Sequence, residues 1–471
     1  TAAIGGCGAP GDFSTAASTA APGSEIAESD HPRLVALVTV DQLRPDHLTR
    51  YADLWSGGLE RLLKGGYGFS AASHAHAFTE TAAGHATIAT GTVPARHGIV
   101  ANDWSSPDGR GGWTGIYAVE DLEAPILAGP ESTSPHIDRL PGRSPENLRR
   151  DGLGDWMKAN HPDARVVGIS RKDRAAITLA GRSRDAHVYW IDAPSCRFVT
   201  SDWYRDPHPD WVDRFNRDAM PSIFADTVWT STVPDAAARR SRPDTTAEEG
   251  DGVHTAFPHR AWEEAVDDDV RHRLADSSAP GAPGTPAEVV TELNEWVYDT
   301  PAMDRAVVEL ALEAIDALRL GQDEVPDLLA ISPSQTDAVG HDYGPLSREQ
   351  LDNLLRLDRE LGRLFDTLDQ KVGQDRWILA FSSDHGVLDL PVDGAGSSRD
   401  APTASESRAA DSRPKLRRLG RPELQEMRDI LQRLGSAAPV NGETRPASAD
   451  LVRALEALPY VAAVYPHPIG D

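Results

Sequence analysis

Three apolar runs in this chain each lead into an aspartate, and two of those aspartates have a histidine close behind. Residues 34–40 precede Asp41, residues 328–331 come shortly before Asp337, and residues 377–381 come shortly before Asp384. His341 follows Asp337 at i+4, and His385 follows Asp384 directly. Carboxylate and imidazole are ligand types that zinc prefers. Thr81 opens the alanine-rich stretch Thr81-Ala82-Ala83-Gly84-His85, which places a hydroxyl where the free N–H groups and dipole of a helix start favour an anion. A threonine hydroxyl is a poor nucleophile until a base or a metal lowers its pKa. Zinc beside it would do this and would also neutralise phosphoryl oxygens. The pattern outlines a metal-dependent hydrolase. Singly, each signal has a plainer reading: an aspartate after a strand is often an N-cap or turn former, and Thr81 alone reads as an N-cap.

Such chemistry needs elements that bring distant residues together. A buried parallel strand is a short, nearly continuous apolar run, and ligand sites of open α/β sheets lie beyond the carboxyl ends of such strands. The expected fold is therefore α/β, with a mostly parallel central sheet flanked by helices. Residues 165–169 and 188–191 are further strand candidates, with Lys172 just past the end of the first. Helices are expected at 45–51, 59–65, 81–89, 147–160, 303–319 and 348–369. Asp46 and His47 are read as helix-surface residues, His85 and His97 as structural hydrogen bonders, and Trp104 as a packing residue.

The chain is expected to divide into a flexible tether (1–32), a first core part (33–200), a cap or insertion where the pattern degrades (201–295), and a second core part (296–392). A flexible segment and an incomplete C-terminal subdomain (393–471) follow, with helices at 424–434 and 449–458 and a strand at 461–465. In the 471-residue chain, 47 basic residues face 73 acidic ones, for a formal charge of −26. Such a chain repels nucleic acid and anionic membranes. Two cysteines, Cys7 and Cys196, make no disulfide framework. No apolar run approaches the ~18 residues of a membrane span. Ile4-Gly5-Gly6-Cys7 is similar to a bacterial lipoprotein processing site, so Cys7 is a candidate lipid anchor and the 1–32 stretch its tether; the plainer reading is an ordinary terminus with a stray cysteine.

The motifs also resemble a known family. Val38-Thr39-Val40-Asp41-Gln42-Leu43-Arg44, Thr81-Ala82-Ala83-Gly84-His85-Ala86, the stretch from Gly91 to Gly98, Asn102-Asp103-Trp104, Lys172-Asp173-Arg174, Thr336-Asp337-Ala338-Val339-Gly340-His341 and Ser383-Asp384-His385-Gly386 resemble the alkaline phosphatase superfamily. The nearest branch is the threonine-nucleophile bacterial alkaline phosphatases, related to nucleotide pyrophosphatase/phosphodiesterases. The resemblance implies two zinc ions: Asp41, Asp384, His385 and the Thr81 oxygen would hold one, Asp337 and His341 the other. It implies hydrolysis of small phosphate monoesters through phosphothreonine at Thr81. Asn102 and backbone N–H groups near Thr81 would donate to the phosphoryl oxygens. Lys172 and Arg174 would select a dianionic monoester over a monoanionic diester. It also implies a periplasmic or cell-envelope enzyme, expected as a monomer.

The pattern departs from the family in one place. Relatives complete the second zinc with a histidine in a Ser/Thr-x-His-Gly context, and the only histidine after His385 is His467, in Tyr-Pro-His-Pro. The expectation is a fragment lacking that ligand, which binds fewer than two zincs tightly. Sulfatases need a Cys/Ser-x-Pro-x-Arg setting that Thr81-Ala82-Ala83-Gly84 does not supply, and cofactor-independent phosphoglycerate mutases use a serine nucleophile. Two alternatives stay open: a phosphodiesterase or nucleotide pyrophosphatase on the same fold, or a catalytically impaired phosphate-binding envelope protein.

Overall fold

The apolar runs form a seven-stranded sheet: β1 (Leu34–Thr39), β2 (Ile126–Leu127), β3 (Val166–Ser170), β4 (His187–Asp192), β5 (Arg197–Ser201), β6 (Asp327–Ser332) and β7 (Trp377–Ser382), in the order β7-β1-β6-β3-β4-β5-β2. The computed structural model describes residues 31–110, 112–130, 136–225, 227–267, 270–271, 287–390 and 457–458. Strands β7, β1, β6, β3 and β4 run parallel to one another, whereas β5 runs antiparallel to β4 and β2 antiparallel to β5. The fold class is thus the mostly parallel sheet that uninterrupted apolar runs demand.

Side chains that alternate along β1 enter different cores. Leu34, Ala36 and Val38 pack with the helix Ala302–Ala317, while Leu37 packs on the opposite face of the sheet. Four helices matter for the site: α1 (Thr81–Thr90), α2 (Asp173–Ala180), α3 (Gln335–Asp342) and α4 (Arg348–Leu368). Alanines of α1 and α2 press against the second face. The long α4 covers the first with Leu351, Leu354, Leu357, Leu361, Leu364 and Leu368, all fully or almost fully buried. Each such leucine contributes about 1.5–3 kcal/mol, so α4 anchors the loop before it, where Ser347 caps the helix by accepting from the Gln350 N–H at 3.0 Å. Helices on both faces leave the strand ends as an open rim for chemistry.

Two compact units are present. One comprises Thr1–Trp104 with Gly115–Leu388, the other Ser105–Thr114 with Asp389–Asp471. In the second, Asp108 Oδ1 accepts from the N–H groups of Arg110 and Gly112 at 2.7 and 2.8 Å, closing a tight turn. Between 201 and 295, the first unit carries the helices Asp210–Asp218 and Met220–Phe224, the two-residue ladder Val228–Trp229 with His259–Arg260, and a helix beginning at Ala287. Among the described residues, no helix is long and apolar enough to cross a membrane. The 1–30 part of the tether, the segment 391–456, the strand expected at 461–465 and His467 lie outside the described residues.

Two expectations need correction. The 147–160 helix is shorter, Leu153–Asn160, because Gly152 N–H bonds Asp155 Oδ2 at 2.8 Å and starts the helix there. Upstream, tertiary bonds claim the backbone and side chains: Arg149 N–H donates to His97 O at 2.9 Å, and Asn147 Nδ2 to Ala118 O at 3.3 Å. His47 is not on a helix surface. It is fully buried, with Nε2 2.8 Å from Pro345 O.

Candidate active site

Strand register sets the rim. Thr39 pairs with Ser382, Val38 with Ile331, and Ser332 with Ser170, so Asp41, Asp337, Lys172 and Asp384-His385 all leave the sheet at the same level. The ligating atoms of Asp41, Asp337 and His385 lie within 4.8 Å of one another. His385 Nε2 is 3.3 Å from Asp41 Oδ1, 3.6 Å from Asp384 Oδ2 and 3.8 Å from Asp337 Oδ1. His341, the most exposed member, places Nε2 3.1 Å from Asp337 Oδ1. Lys172 reaches into the same space. Its Nζ donates to Asp337 Oδ2 at 2.5 Å, Asp41 Oδ2 at 2.6 Å and Thr81 Oγ1 at 3.3 Å. The compact trio therefore mixes residues that the sequence pattern divides between two metals.

Thr81 begins α1, and the reason that helix can approach the rim is Gly84. A Cβ on Gly84 would sit 2.3 Å from the Asp384 carbonyl oxygen and 2.7 Å from its Cβ. His85, one turn after Thr81, contacts Thr81 O at 2.8 Å and Asp384 Oδ2 at 3.1 Å through Nδ1, with Nε2 2.8 Å from Ser332 Oγ. It ties the nucleophile helix to two strand ends. Asn102 Oδ1 accepts from the Ala82 N–H at 2.9 Å, and its own N–H donates to Glu80 Oε2 at 2.7 Å. The amide oxygen is thereby committed, so the Nδ2 amine is the end able to donate to an anion. The Ala82 N–H is correspondingly taken, which removes one of the backbone donors expected near Thr81.

Burial alone would raise the Asp41 carboxyl. Lys172 beside it, followed by contacts with His385 and His85, bring it well below the usual carboxylate range. Burial and the Asp41 charge would raise Asp337, yet Lys172 and His341 leave it lowered. For His385 burial works downward, but Asp41 and then Asp384 push the imidazole up to about 9. The rim thus gathers negative charge that demands cations. Asp41 Oδ1 and Asp384 Oδ2 are buried, and their nearest donors, His385 Nε2 at 3.3 Å and His85 Nδ1 at 3.1 Å, do not form well-directed hydrogen bonds with them. Buried oxygens in that state need a donor or a metal. Carboxylate and imidazole donors converging with such orphaned oxygens fit a divalent ion of zinc's type.

One residue that the sequence pattern did not single out holds the rim together. Gln42 has φ 63°, a left-handed conformation that costs a residue with a side chain. In return its N–H donates to Asp384 Oδ1 at 3.0 Å, and Nε2 donates to Asp337 Oδ1 at 2.8 Å. Gly340 is the matching gap, since a Cβ there would lie 2.1 Å from Gln42 Oε1. A glutamine directly after a strand-end aspartate was the only available signal, and a backbone angle cannot be read from residue type.

Lys172 and Arg174 flank the start of α2. With Arg143, Arg171 and Asp173 they line a cavity of about 190 Å³, closed by Trp190 and Tyr298 among others. A larger cavity of about 530 Å³ is bordered by Asp304, Arg356 and Arg363, and contains none of the rim carboxylates. The smaller one is not lined by the rim carboxylates either, but it adjoins the rim through Lys172.

Known proteins are similar to this chain in sequence and fold. The family described as type I phosphodiesterase / nucleotide pyrophosphatase matches residues 35–404. Alkaline phosphatase PafA of Elizabethkingia meningoseptica is 32% identical over 361 residues, 76% of this chain and 60% of that protein. Alkaline phosphatase PhoV of Synechococcus elongatus is 31% identical over 366 residues, with the same shares covered. The crystal structure of wild-type PafA gives a TM-score of 0.67 at 28% identity, over 86% of this chain and 69% of that one. The chain spans about 60% of the length of these curated relatives. With its parallel sheet, its carboxylate–histidine rim and this match over most of its length, the chain belongs to the type I phosphodiesterase / nucleotide pyrophosphatase family of the alkaline phosphatase superfamily.

Proposed function

We propose that this chain is a zinc-dependent phosphate monoesterase of the alkaline phosphatase type, acting through phosphothreonine at Thr81. The observation that carries the reading is one constellation: Thr81 Oγ1 and two carboxylates converge on the Lys172 ammonium. Asp41, Asp384 and His385 would hold one ion, Asp337 and His341 the other, with the two groups adjoining as the shared contacts of Asp337 suggest. Zinc there supplies positive charge that makes the Thr81 hydroxyl a nucleophile and offsets charge on the phosphoryl and leaving oxygens. Thr81 Oγ1 attacks phosphorus in line, and the bond to the leaving oxygen breaks. Water then attacks the phosphothreonine and releases inorganic phosphate. Asn102 Nδ2 donates to a phosphoryl oxygen, and Lys172 with Arg174 pairs with the charge that a monoester carries and a diester lacks. His85 and Gln42 keep the carboxylates and α1 aligned while this occurs.

Relatives named alkaline phosphatases support the reading. So does a second matched structure, a PafA variant substituted at one threonine, one asparagine, one lysine and one arginine, the residue types of Thr81, Asn102, Lys172 and Arg174. The Ile4-Gly5-Gly6-Cys7 sequence supports an exported form acylated at Cys7. A second reading, phosphodiester hydrolysis, is favoured by the family's description and by the engagement of Lys172 with Asp41 and Asp337. The deciding experiment compares an aryl phosphate monoester with its matched diester on zinc-supplied protein. A monoester preference that collapses in Lys172→Ala and Arg174→Ala supports the phosphatase; a diester preference insensitive to both replaces it with the second reading.

A further inference from the structure

Arg174 does not enter its cavity unsupported. Asp173 gathers three donors on one carboxylate: Tyr117 O–H at 2.5 Å and the Arg174 N–H at 2.6 Å on Oδ1, and Arg143 Nε at 2.6 Å on Oδ2. Arg143 is itself fixed, since Nη1 donates to Pro141 O at 2.7 Å and Gly142 O at 3.0 Å, and its guanidinium lies 4.9 Å from the centre of the Tyr117 ring. Arg174 Nη1 then reaches the Tyr117 oxygen at 3.4 Å, whereas its distance to Asp173 Oδ1 is 4.0 Å. Tyr117 is therefore both donor and acceptor, a relay between Asp173 and Arg174. Burial, then the Asp173 charge, push the phenol well above its ordinary value, so it keeps its proton. Such chains polarise one another and hold direction better than one contact.

The charges explain why two arginines are present. Arg143 takes up the Asp173 charge in the short contact. Arg174 is held by a neutral hydroxyl at 3.4 Å, and its ion pair with Asp173 is stretched to 4.0 Å. Its Nε is buried and without a hydrogen bond, so much of its charge remains to be used elsewhere. Resting on the phosphatase reading, we infer that Tyr117, Asp173 and Arg143 form a positioning unit that keeps Arg174 extended and unquenched, and that this unit sets the preference for a dianionic phosphoryl group. Without Tyr117 O–H, Arg174 loses its guide. Without Arg143, Asp173 would draw Arg174 into an ion pair.

A double-mutant cycle tests this. On zinc-supplied protein, kcat/KM is measured for an aryl phosphate monoester and its diester, with inorganic phosphate affinity by calorimetry as a readout independent of turnover. Tyr117→Phe is expected to lower the monoester value about tenfold and leave the diester within about twofold. Phosphate binding should weaken in step, and no further loss should occur in the Arg174→Ala background. Asp173→Asn, which keeps the acceptor shape but not the charge, serves as the second variant should Tyr117→Phe fold poorly, and the same coupling is expected. Losses that multiply with Arg174→Ala, or that strike monoester and diester alike, overturn the inference while leaving the phosphatase reading intact. An Arg174→Ala variant with unchanged monoester preference overturns the inference alone, whereas an unsubstituted protein that prefers the diester and binds no phosphate overturns both.

Discussion

Two histidines in this molecule are pushed up to about 9 by buried carboxylates, and only one of them sits where chemistry is proposed. His259, in the 201–295 region, lies between Glu264 Oε1 at 3.2 Å and Glu349 Oε1 at 3.3 Å. Its ring is walled by Trp229, Phe257 and Tyr343, with centroids 4.9–5.4 Å away. Both ring nitrogens are engaged, and the aromatic wall leaves no opening for a ligand. His385 shares its space with Asp41, Asp337 and Asp384 at the open end of a parallel sheet. There the carboxylates outnumber the histidine, and Lys172 is drawn in. The comparison shows that a buried His–carboxylate group is not by itself a functional sign. A third carboxylate, a lysine drawn in among them and a position past the strand ends distinguish the site from a staple.

The sharpest break of the comparison is Asp384→Asn. Zinc binding by calorimetry should be lost and aryl phosphate hydrolysis should fall by about 10³-fold or more, with the fold kept by circular dichroism. An Asp384→Asn protein that still turns over at near wild-type rate would empty the rim of its proposed role. Next comes Gly84→Ala, where the added methyl must push α1 away from Asp384. A displacement on the order of 1 Å is expected to cost about 10²-fold in kcat, and a crystal structure of the variant would show whether Thr81 has moved. Gln42→Gly relieves the left-handed backbone but removes the side-chain bond to Asp337. Zinc affinity should drop about tenfold, while thermal stability changes little because the two effects oppose.

The smallest effect on turnover belongs to His259→Gln, whose consequence lies in stability against pH. Burial would lower His259, but Glu264 and Glu349 raise it to about 9. Its contribution is fully present below its unfolded value, ~6.5, and disappears as pH rises through about 9. Glu349, raised by burial despite His259, acts in the same direction at lower pH, whereas Glu264 is held down, so its contribution is full above its unfolded value and is lost as pH falls. Wild-type protein should lose on the order of 2 kcal/mol between pH 6 and 10 from this group. His259→Gln should show a flatter profile in urea unfolding, with kcat within about threefold. Parallel stability profiles would mean that the pair is silent.

The sheet was legible in the sequence because strands buried on both faces must be apolar throughout, as 34–40 and 328–331 are. The aspartates that follow them were legible as well, since a charge directly after such a run has only the rim to occupy. The grouping of Asp337 with Asp41 and His385 was not, because sequence order says nothing about which neighbouring strand end is closest. Gln42, Tyr117, Asp173 and Arg143 also escaped notice. Their roles depend on a left-handed backbone and on contacts spanning 30 to 56 positions along the chain. The shortened 147–160 helix failed for a related reason: apolar spacing does not reveal which backbone groups a distant carbonyl will claim.

The position of β1 has a consequence for how the protein is made. Among the described strands of the sheet it comes first in the chain, yet its two neighbours are β6 and β7, the last two of them. Leu34 finds its partners only when Asp327 and Trp377 have emerged. Closing such long loops is entropically costly before any contact rewards it, and pairings of this span fold slowly. During synthesis β1 is a bare apolar strand with both edges open to foreign partners. The same wiring that gathers Asp41, Asp337 and Asp384 on one rim therefore leaves β1 without its partners until both of those later strands have been made.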